Sequence, residues 1–414
     1  MAEAVLALAA LSLSAERAGT LLVYALGGVA LGTVSGLVPG VHANAFALLL
    51  AATAPTLSGP PAGVACAVLA AGVTHTFLDV VPALALGVPD AAMAAGSLPG
   101  HRLVLGGRGR EALRLSALGS GGALFVALPV AVPLTALVQR YEPLLIAALP
   151  FILAGVFGLL VLAERRPWRM AAATFLVFLS GALGLVTLDR PFGGLVSVGG
   201  VLTPLFGGLF GVPVLVDAAR GGGVPPQEGV ELAAGPSTVG RAAVAGVAGG
   251  GLVGYLPGVS AGVAATLALP FAGRDVPDRT YVVATSGANT ATAVFALFSL
   301  VALDAPRTGV TVALGAVGPP PLATLLAVTV VAGVASAVLV PLLGDRYLVV
   351  AGRIGPLRTS VVACGLLCLL SGLFAGVGGV VVLVAAGVIG LLPVRLGVRR
   401  VHLMGVLAVP LVVG

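Results

Sequence analysis

Long apolar runs alternate with short polar interruptions along almost the whole chain. The runs lie at 19–36, 41–57, 62–87, 115–138, 143–163, 170–188, 191–216, 242–256, 258–273, 280–303, 309–344 and 359–394, and the last two are long enough to hold two pieces each. A helix needs roughly 20 apolar residues to cross a bilayer. The pattern predicts an all-α polytopic membrane protein with about 10–12 transmembrane or re-entrant segments.

Composition excludes a soluble protein. Hydrophobic residues make up 59% of the 414 positions, charged residues only 9%, and the mean hydropathy is +1.16. An average globular chain is about 25% charged. The net charge of +6 comes from arginines that stand singly or in short groups between apolar runs, unlike the clustered basic surface of a nucleic-acid-binding protein. The predicted surroundings are therefore a lipid bilayer, with no nucleic acid partner.

Arginine-rich connections set the expected orientation. By the positive-inside rule, basic loops face the cytoplasm, so the richest connections predict the cytoplasmic face of a cell membrane protein. These connections are 88–114, 164–169, 345–358 and 395–400.

The chain divides into two similar halves. Residues 217–241 are rich in Gly and Pro and lack apolar periodicity, which predicts a linker between an N-terminal transmembrane repeat (1–216) and a C-terminal one (242–414). GTVSGLVPGVHAN (32–44) aligns with GGLVGYLPGVSAG (250–262) at an offset of 218. A segment that mixes polar and apolar residues follows each copy. It is THTFLD (74–79) after the first copy and TSGANTAT (285–292) after the second. Repeated broken helices are typical of the binding site of a secondary transporter.

Each half contains a Gly–Pro–Gly elbow, where proline and glycine favour a break in the helix. The elbows are formed by Gly36, Pro39 and Gly40 in the first half and by Gly254, Pro257 and Gly258 in the second. A helix that restarts after a break offers free N–H groups to an anion, and the carbonyls of 35–38 and 253–256 could hold a transient Na⁺. The alternative is that Pro and Gly only kink packed spans.

The rare polar side chains concentrate near these elbows. Asparagine occurs only at Asn44 and Asn289, and either amide could bind a substrate or ion. The alternative for Asn44 is that it caps the half-helix that follows Pro39 and Gly40. His75 and Asp79 lie four residues apart on one helix face and could carry protons or coordinate a cation, unless they form a wetted interface at the end of a span. His42 aligns with Ser260, which indicates a polar lining position rather than a metal ligand.

The sequence motifs give little support for an enzyme. The GVSAG stretch at 258–262 matches a serine nucleophile elbow, but no strand–turn–helix context surrounds it. The chain has no lysine to complete a P-loop, no metal-ligand cluster and no cofactor signature. We therefore expect neither catalysis nor a resident cofactor or metal. An ion channel stays open as an alternative, although two related elbows in one chain suit alternating access better than a pore.

Several segments in order resemble the TctA family, the large permease subunit of tripartite tricarboxylate transporters, and its shorter archaeal branch in particular. These segments are GLVPGVHANAFALLL (36–50), 75–113, LTPLFGGLFGVPVL (202–215), GYLPGVSAG (254–262), SGANTATAVFALFSLVAL (286–303) and VRRVHLMGVLAVP (398–409). The resemblance implies an uptake permease for a tricarboxylate or related organic acid, coupled to Na⁺ or H⁺, built from two inverted repeats.

The same resemblance implies partners and site residues. An extracytoplasmic binding protein and a small membrane subunit would assist, and a homodimer is one candidate assembly. The positions that match the family pattern are Gly36, Pro39, Gly40 and Asn44 in the first elbow, Gly254, Pro257 and Gly258 in the second, and Asn289 in the following span. The chain departs from the pattern of a bacterial citrate permease at His42, His75 and Asp79. A solo transporter of a non-carboxylate substrate is therefore the other alternative.

Overall fold

The structure, a computed structural model, describes residues 15–39, 41, 46–47, 49–50, 59–87, 97–195, 200–220, 223–229, 231–256, 263–264 and 278–414. Within these ranges the regular secondary structure is helical throughout, which confirms the predicted all-α fold. The α-helices are α1 (Ala15–Leu37), α2 (Pro61–Leu78), α3 (Val80–Leu86), α4 (Ser97–Leu105), α5 (Gly109–Leu162), α6 (Pro167–Thr187), α7 (Leu202–Phe206), α8 (Val212–Ala218), α9 (Pro236–Tyr255), α10 (Asp278–Leu303), α11 (Gly309–Val317), α12 (Leu322–Ile354), α13 (Pro356–Gly390), α14 (Leu392–Arg395) and α15 (Gly405–Val413). A π-helical turn, Gly207–Gly211, joins α7 to α8, and a 3₁₀ helix, Arg400–Met404, precedes α15.

The helix boundaries of four long apolar runs differ from the boundaries of the runs in the sequence. The runs 115–138 and 143–163 form the single helical range of α5, which carries four internal prolines. The run 309–344 is split between α11 and α12, as two pieces predicted. The run 359–394 forms α13 and α14, and α13 is interrupted in its middle by non-helical torsions at Ala375 and Gly376, where φ of Gly376 is 60°. Glycine tolerates this positive φ, so the break falls there.

A seam of glycines packs α1 against α2. Gly28, Gly32 and Gly36 are spaced by four residues and so share one face of α1. A Cβ atom on Gly28 would collide with the carbonyl oxygen of Ala67, and one on Gly32 with that of Ala71. Small residues at this spacing let two helix backbones approach closely inside a membrane. The contacts advance along both helices together, so α1 and α2 run parallel.

The same seam recurs between α9 and α10. Gly246, Gly250 and Gly254 stand 218 residues after the three seam glycines of α1. A Cβ on Gly246 would lie 2.5 Å from the carbonyl oxygen of Ala284, and one on Gly254 would collide with Cβ of Phe295. This second pair of helices is therefore also parallel and closely packed.

The two pairs run in opposite directions. Asn289, near the middle of α10, reaches Thr76 and Asp79, whereas Gly100 contacts both Leu84 and the earlier α10 residue Val282. Positions that advance along α2 and α3 thus move backwards along α10. Opposed copies of one packing unit are what an inverted repeat produces; the repeat boundaries themselves stay a prediction.

The predicted linker lies against the start of α5. Helix α9 begins at Pro236, inside the predicted range 217–241, and residues 223–229 and 231–235 contain no helix. Gln227 accepts a hydrogen bond from the Gly109 backbone N–H at 2.6 Å, and the Ala233 N–H donates to Glu111 at 2.9 Å. The segment is therefore fastened to the first half of the molecule.

The four basic connections meet at one end of the molecule. Arg114 pairs with Asp345 at 2.9 Å, and Arg399 with Glu164 at 2.9 Å. One cavity is lined by both Arg102 and Arg400, which joins the two groups. Both ends of α5 consequently lie at this end. A straight helix of its length would extend about 80 Å, so the α5 range bends back on itself, as two separate apolar runs had predicted.

Candidate functional site

The site begins where α2 gives way to α3. Pro82 has no N–H, so it cannot donate to the carbonyl of Leu78, four residues earlier. Helix α2 accordingly ends at Leu78 and α3 begins at Val80, with Asp79 between them. The Asp79 residue is only 4% exposed. A local proline thus places a carboxylate at a helix junction deep inside the bundle.

His75 lies one turn before Asp79 and contacts the helix that precedes the first elbow. Its Nδ1 is 2.8 Å from the hydroxyl oxygen of Ser35, which also lies 3.2 Å from the carbonyl oxygen of Gly32. The ring of Phe46 stacks on the imidazole with a centroid separation of 6.1 Å. The hydroxyl of Ser35 and the ring of Phe46 therefore fix the orientation of a fully buried histidine.

Asn289 brings the second half of the chain to the same place. Its Nδ2 donates to the backbone oxygen of Thr76 at 3.1 Å and to Oδ2 of Asp79 at 3.3 Å. The amide is 5% exposed. Two residues of the first half, His75 and Asp79, and one of the second half, Asn289, are thus brought together, although the sequence places Asp79 and Asn289 210 positions apart.

The described parts of the elbows lie beside this cluster. A Cβ on Gly36 would stand 2.8 Å from Cβ of Leu78 and 3.1 Å from the oxygen of His75, so only glycine lets α1 lie against the His75–Asp79 turn. Helix α1 ends at Leu37, with Pro39 in the following turn, and α9 ends at Tyr255. Leu256 is extended (φ −104°, ψ 123°), as expected for a residue before proline.

Six predicted site residues cannot be placed by the structure. Gly40, His42, Asn44, Pro257, Gly258 and Ser260 lie outside the described residues. Gly254 is described and belongs to the glycine seam of α9. The cluster that the structure defines therefore consists of His75, Asp79 and Asn289, with Gly36 as the close-packed position beside them.

Two pairs of buried hydroxyls lie on the helices that carry the cluster. Thr74 and Ser286 fall in the polar segments noted in the sequence, whereas Ser116 and Ser336 were not singled out. Ser336 donates to Thr74 at 3.0 Å, which links α12 to α2. Ser286 and Ser116 share a hydrogen bond of 2.8 Å, which links α10 to α5. Serine and threonine are common in membrane helices, so their type alone gave no signal; their burial and pairing became visible only in three dimensions.

The cluster combines a carboxylate, an imidazole and an amide at the contact between two oppositely directed helix pairs. A carboxylate in this setting can accept a proton or bind a monovalent cation. The Asn289 amide orients the carboxylate, and the Ser35 hydroxyl orients the neighbouring imidazole. In the part of the chain that the structure describes, no group of three or more His, Cys, Asp or Glu side chains could hold a metal ion.

Seven helices of the described chain are long and apolar enough to cross a membrane, so the protein is a multi-pass membrane protein. The family described as "Tripartite tricarboxylate transporter TctA family" matches residues 22–405. The chain therefore belongs to the TctA family, as the resemblance predicted. This is a family of transporter components and not of enzymes.

A relative of archaeal origin is also similar to this chain. The uncharacterized protein MJ1079 of Methanocaldococcus jannaschii is 28% identical over 200 residues, which cover 47% of this chain and 48% of that protein. The chain thus matches about half the length of this curated relative. No solved structure matches the chain.

Proposed function

We propose that this chain is a secondary active permease that takes up a tricarboxylate or related organic acid, driven by a gradient of Na⁺ or H⁺. Membership of the TctA family supports the transport role and the carboxylate class. The substrate would bind between the two elbows, to the free N–H groups of helices that restart after the breaks. The backbone carbonyls at the C-terminal ends of α1 and α9 suit the coupling cation instead.

The observation that carries the proposal is the hydrogen bond from Asn289 to Asp79. The two residues belong to oppositely directed helix pairs, so any movement of one pair against the other changes this contact. Binding of a proton or Na⁺ at Asp79 would then favour one arrangement over the other, which is how a coupling ion biases alternating access. His75, held by Ser35, would orient or relay the proton.

The proposal includes the partner subunits of a tripartite system and an orientation in the membrane. An extracytoplasmic binding protein would deliver the acid, and a small membrane subunit would assist. The basic connections 88–114, 164–169, 345–358 and 395–400 would face the cytoplasm of the cell, as the positive-inside rule expects.

Uptake of labelled citrate and smaller carboxylates into proteoliposomes tests the proposal. The wild-type chain, alone and with its binding protein, is given a Na⁺ gradient in one arm and a H⁺ gradient in the other. We expect gradient-driven, saturable uptake in one arm and its loss in Asp79→Asn. The matched control is Asp189→Asn, which removes an exposed carboxylate distant in sequence from the cluster.

Two outcomes would contradict the proposal. Unchanged coupled uptake in Asp79→Asn would remove the cluster from the coupling mechanism. Flux that needs no ion gradient and never saturates with substrate would instead favour an ion channel.

A further inference from the structure

A cavity of about 330 Å³ opens at the end of the molecule where the basic connections meet. None of the cluster residues His75, Asp79 and Asn289 lines it, and its walls come from segments distant in sequence. Its polar lining residues are His101, Arg102, Asp217, Thr359, Ser360 and Arg400. Its volume falls within the range of small-molecule sites.

Arg400 is the unusual member of this lining. It is only 7% exposed at the start of the 3₁₀ helix. Its Nη2 donates to Asp217 at 3.3 Å, yet neither Nε nor Nη1 reaches a hydrogen-bond acceptor in the described part of the chain. Buried polar groups normally have partners, because leaving one without a partner costs free energy. The Asp217 side chain is 53% exposed, which makes it a weak compensating charge.

A second part of the lining also suits a negative charge. Pro356, Thr359 and Ser360 lie at the start of α13, whose N-terminal end carries the positive end of the helix dipole; the helix runs unbroken from Pro356 up to the interruption at Ala375. The Thr359 hydroxyl already donates to the Gly355 carbonyl oxygen at 2.9 Å, whereas the Ser360 hydroxyl can donate to a ligand. Arginine is the side chain best suited to carboxylates and phosphates. Guanidinium, hydroxyls and helix end thus border one cavity.

We propose that this cavity is a second anion-binding site, in which Arg400 binds a small carboxylate at the basic end of the permease. The oxyanion chemistry follows from Arg400 and its surroundings, whereas the identification of the ligand with the transported acid rests on the proposed function. Such a site would hold the acid between the central cluster and the aqueous phase.

Isothermal titration calorimetry of the purified chain with citrate, in nanodiscs of zwitterionic lipid, tests this site apart from transport. Arg400→Gln should weaken binding at one site about tenfold or more, because a charged donor is lost. Asp217→Asn should tighten binding at the same site by about fivefold, because a competing carboxylate is removed. Arg353→Gln, an exposed arginine at the same end, is the matched control and should bind citrate as the wild type does.

The opposite shifts expected of Arg400→Gln and Asp217→Asn separate the site from a general loss of folding. Wild-type titration curves in both variants would overturn the second site, even if Asp79→Asn still abolished uptake. Citrate binding that is displaced when the nanodiscs contain anionic phosphatidylglycerol would overturn the assignment to a soluble acid and give the site to a lipid phosphate.

Discussion

The helix pairs α1/α2 and α9/α10 share a packing unit but carry different chemistry. Both are parallel pairs closed by three glycines at the same spacing, separated by 218 residues. The first pair holds the ionisable His75 and Asp79. In the second pair, α10 has no charged residue after Arg279, and its polar side chains are hydroxyls and the amide of Asn289.

This difference separates the features that both helix pairs share, which belong to packing, from those found in one pair, which belong to the site. Close backbone packing is required in both pairs, so glycine recurs in both. At the cluster the ionisable side chains belong to the first pair, and the second pair supplies a neutral donor to Asp79. The site is therefore asymmetric although the scaffold that forms it is duplicated.

The largest expected effect comes from breaking the glycine seams. Gly28→Ala and Gly246→Ala each force a methyl group against a backbone carbonyl, and overpacking of this kind costs about 1–3 kcal/mol. The thermal stability of the purified protein in detergent measures it. The controls are Gly27→Ala and Gly240→Ala, whose Cβ atoms would have no neighbour within 4 Å in the described structure. Equal stability of Gly28→Ala and Gly27→Ala would refute the seam.

The next effect tests where the charge must lie. Asn289→Asp places a second carboxylate beside Asp79, and like-charge repulsion should reduce uptake by about tenfold or more, which corresponds to about 1.4 kcal/mol. The swap Asp79→Asn with Asn289→Asp restores one carboxylate and one amide in contact. We expect it to recover part of the uptake. If uptake by the swapped variant is no higher than uptake by Asn289→Asp alone, the carboxylate supports transport only at position 79, one turn from His75.

A smaller effect compares one buried hydroxyl from each pair. Ser35→Ala and Ser286→Ala each remove a hydrogen bond worth about 1 kcal/mol. Stability should fall similarly in both variants. Only Ser35→Ala should also slow uptake, because its hydroxyl orients His75. Equal transport losses in the two variants would contradict the division of roles between the pairs.

The smallest expected effect is a pH-dependent change in stability at Glu164, which lies outside both helix pairs. Burial raises the pKa of the Glu164 carboxyl, but hydrogen bonds from Arg399 and His402 outweigh burial and hold the pKa below its ordinary value of 4.5. A carboxyl with a lowered pKa stabilises the fold above its ordinary pKa, and this contribution is lost as the pH falls through the lowered value.

Thermal unfolding between neutral and acidic pH checks this sign. Glu164→Gln should be less stable than the wild type at pH 7, and the gap should close as the solution is acidified. The exposed Glu228→Gln is the matched control and should follow the wild type. A gap that stays constant with pH would show that Glu164 stabilises the fold by packing alone.

Sequence reasoning succeeded where the signal was local. Apolar length predicted the membrane helices, and the prolines at 39 and 257 predicted that α1 and α9 would end just before them, at Leu37 and Tyr255. The four-residue spacing predicted that His75 and Asp79 share a face. The glycines at 28, 32, 246 and 250 were missed because glycine is so frequent in this chain.

Contacts between distant segments could not be predicted in this way. Nothing in the spacing of Asp79 and Asn289 indicates that they meet, because the meeting depends on how four helices pack. The same holds for Arg400, which looked like one more basic loop residue. Residues of α4, α8 and α13 line one cavity together with Arg400, and no local pattern in the sequence indicates that grouping.

The long separation between Asp79 and Asn289 also affects how the protein is made. A ribosome adds about 5–20 residues per second, so Asn289 is synthesised some 10–40 s after Asp79 at those rates. During that interval the N-terminal helices are already emerging while the amide that binds Asp79 does not yet exist. The contact between Asp79 and Asn289 therefore forms only after α10 has been synthesised, so this link between the two helix pairs is a late step in biogenesis.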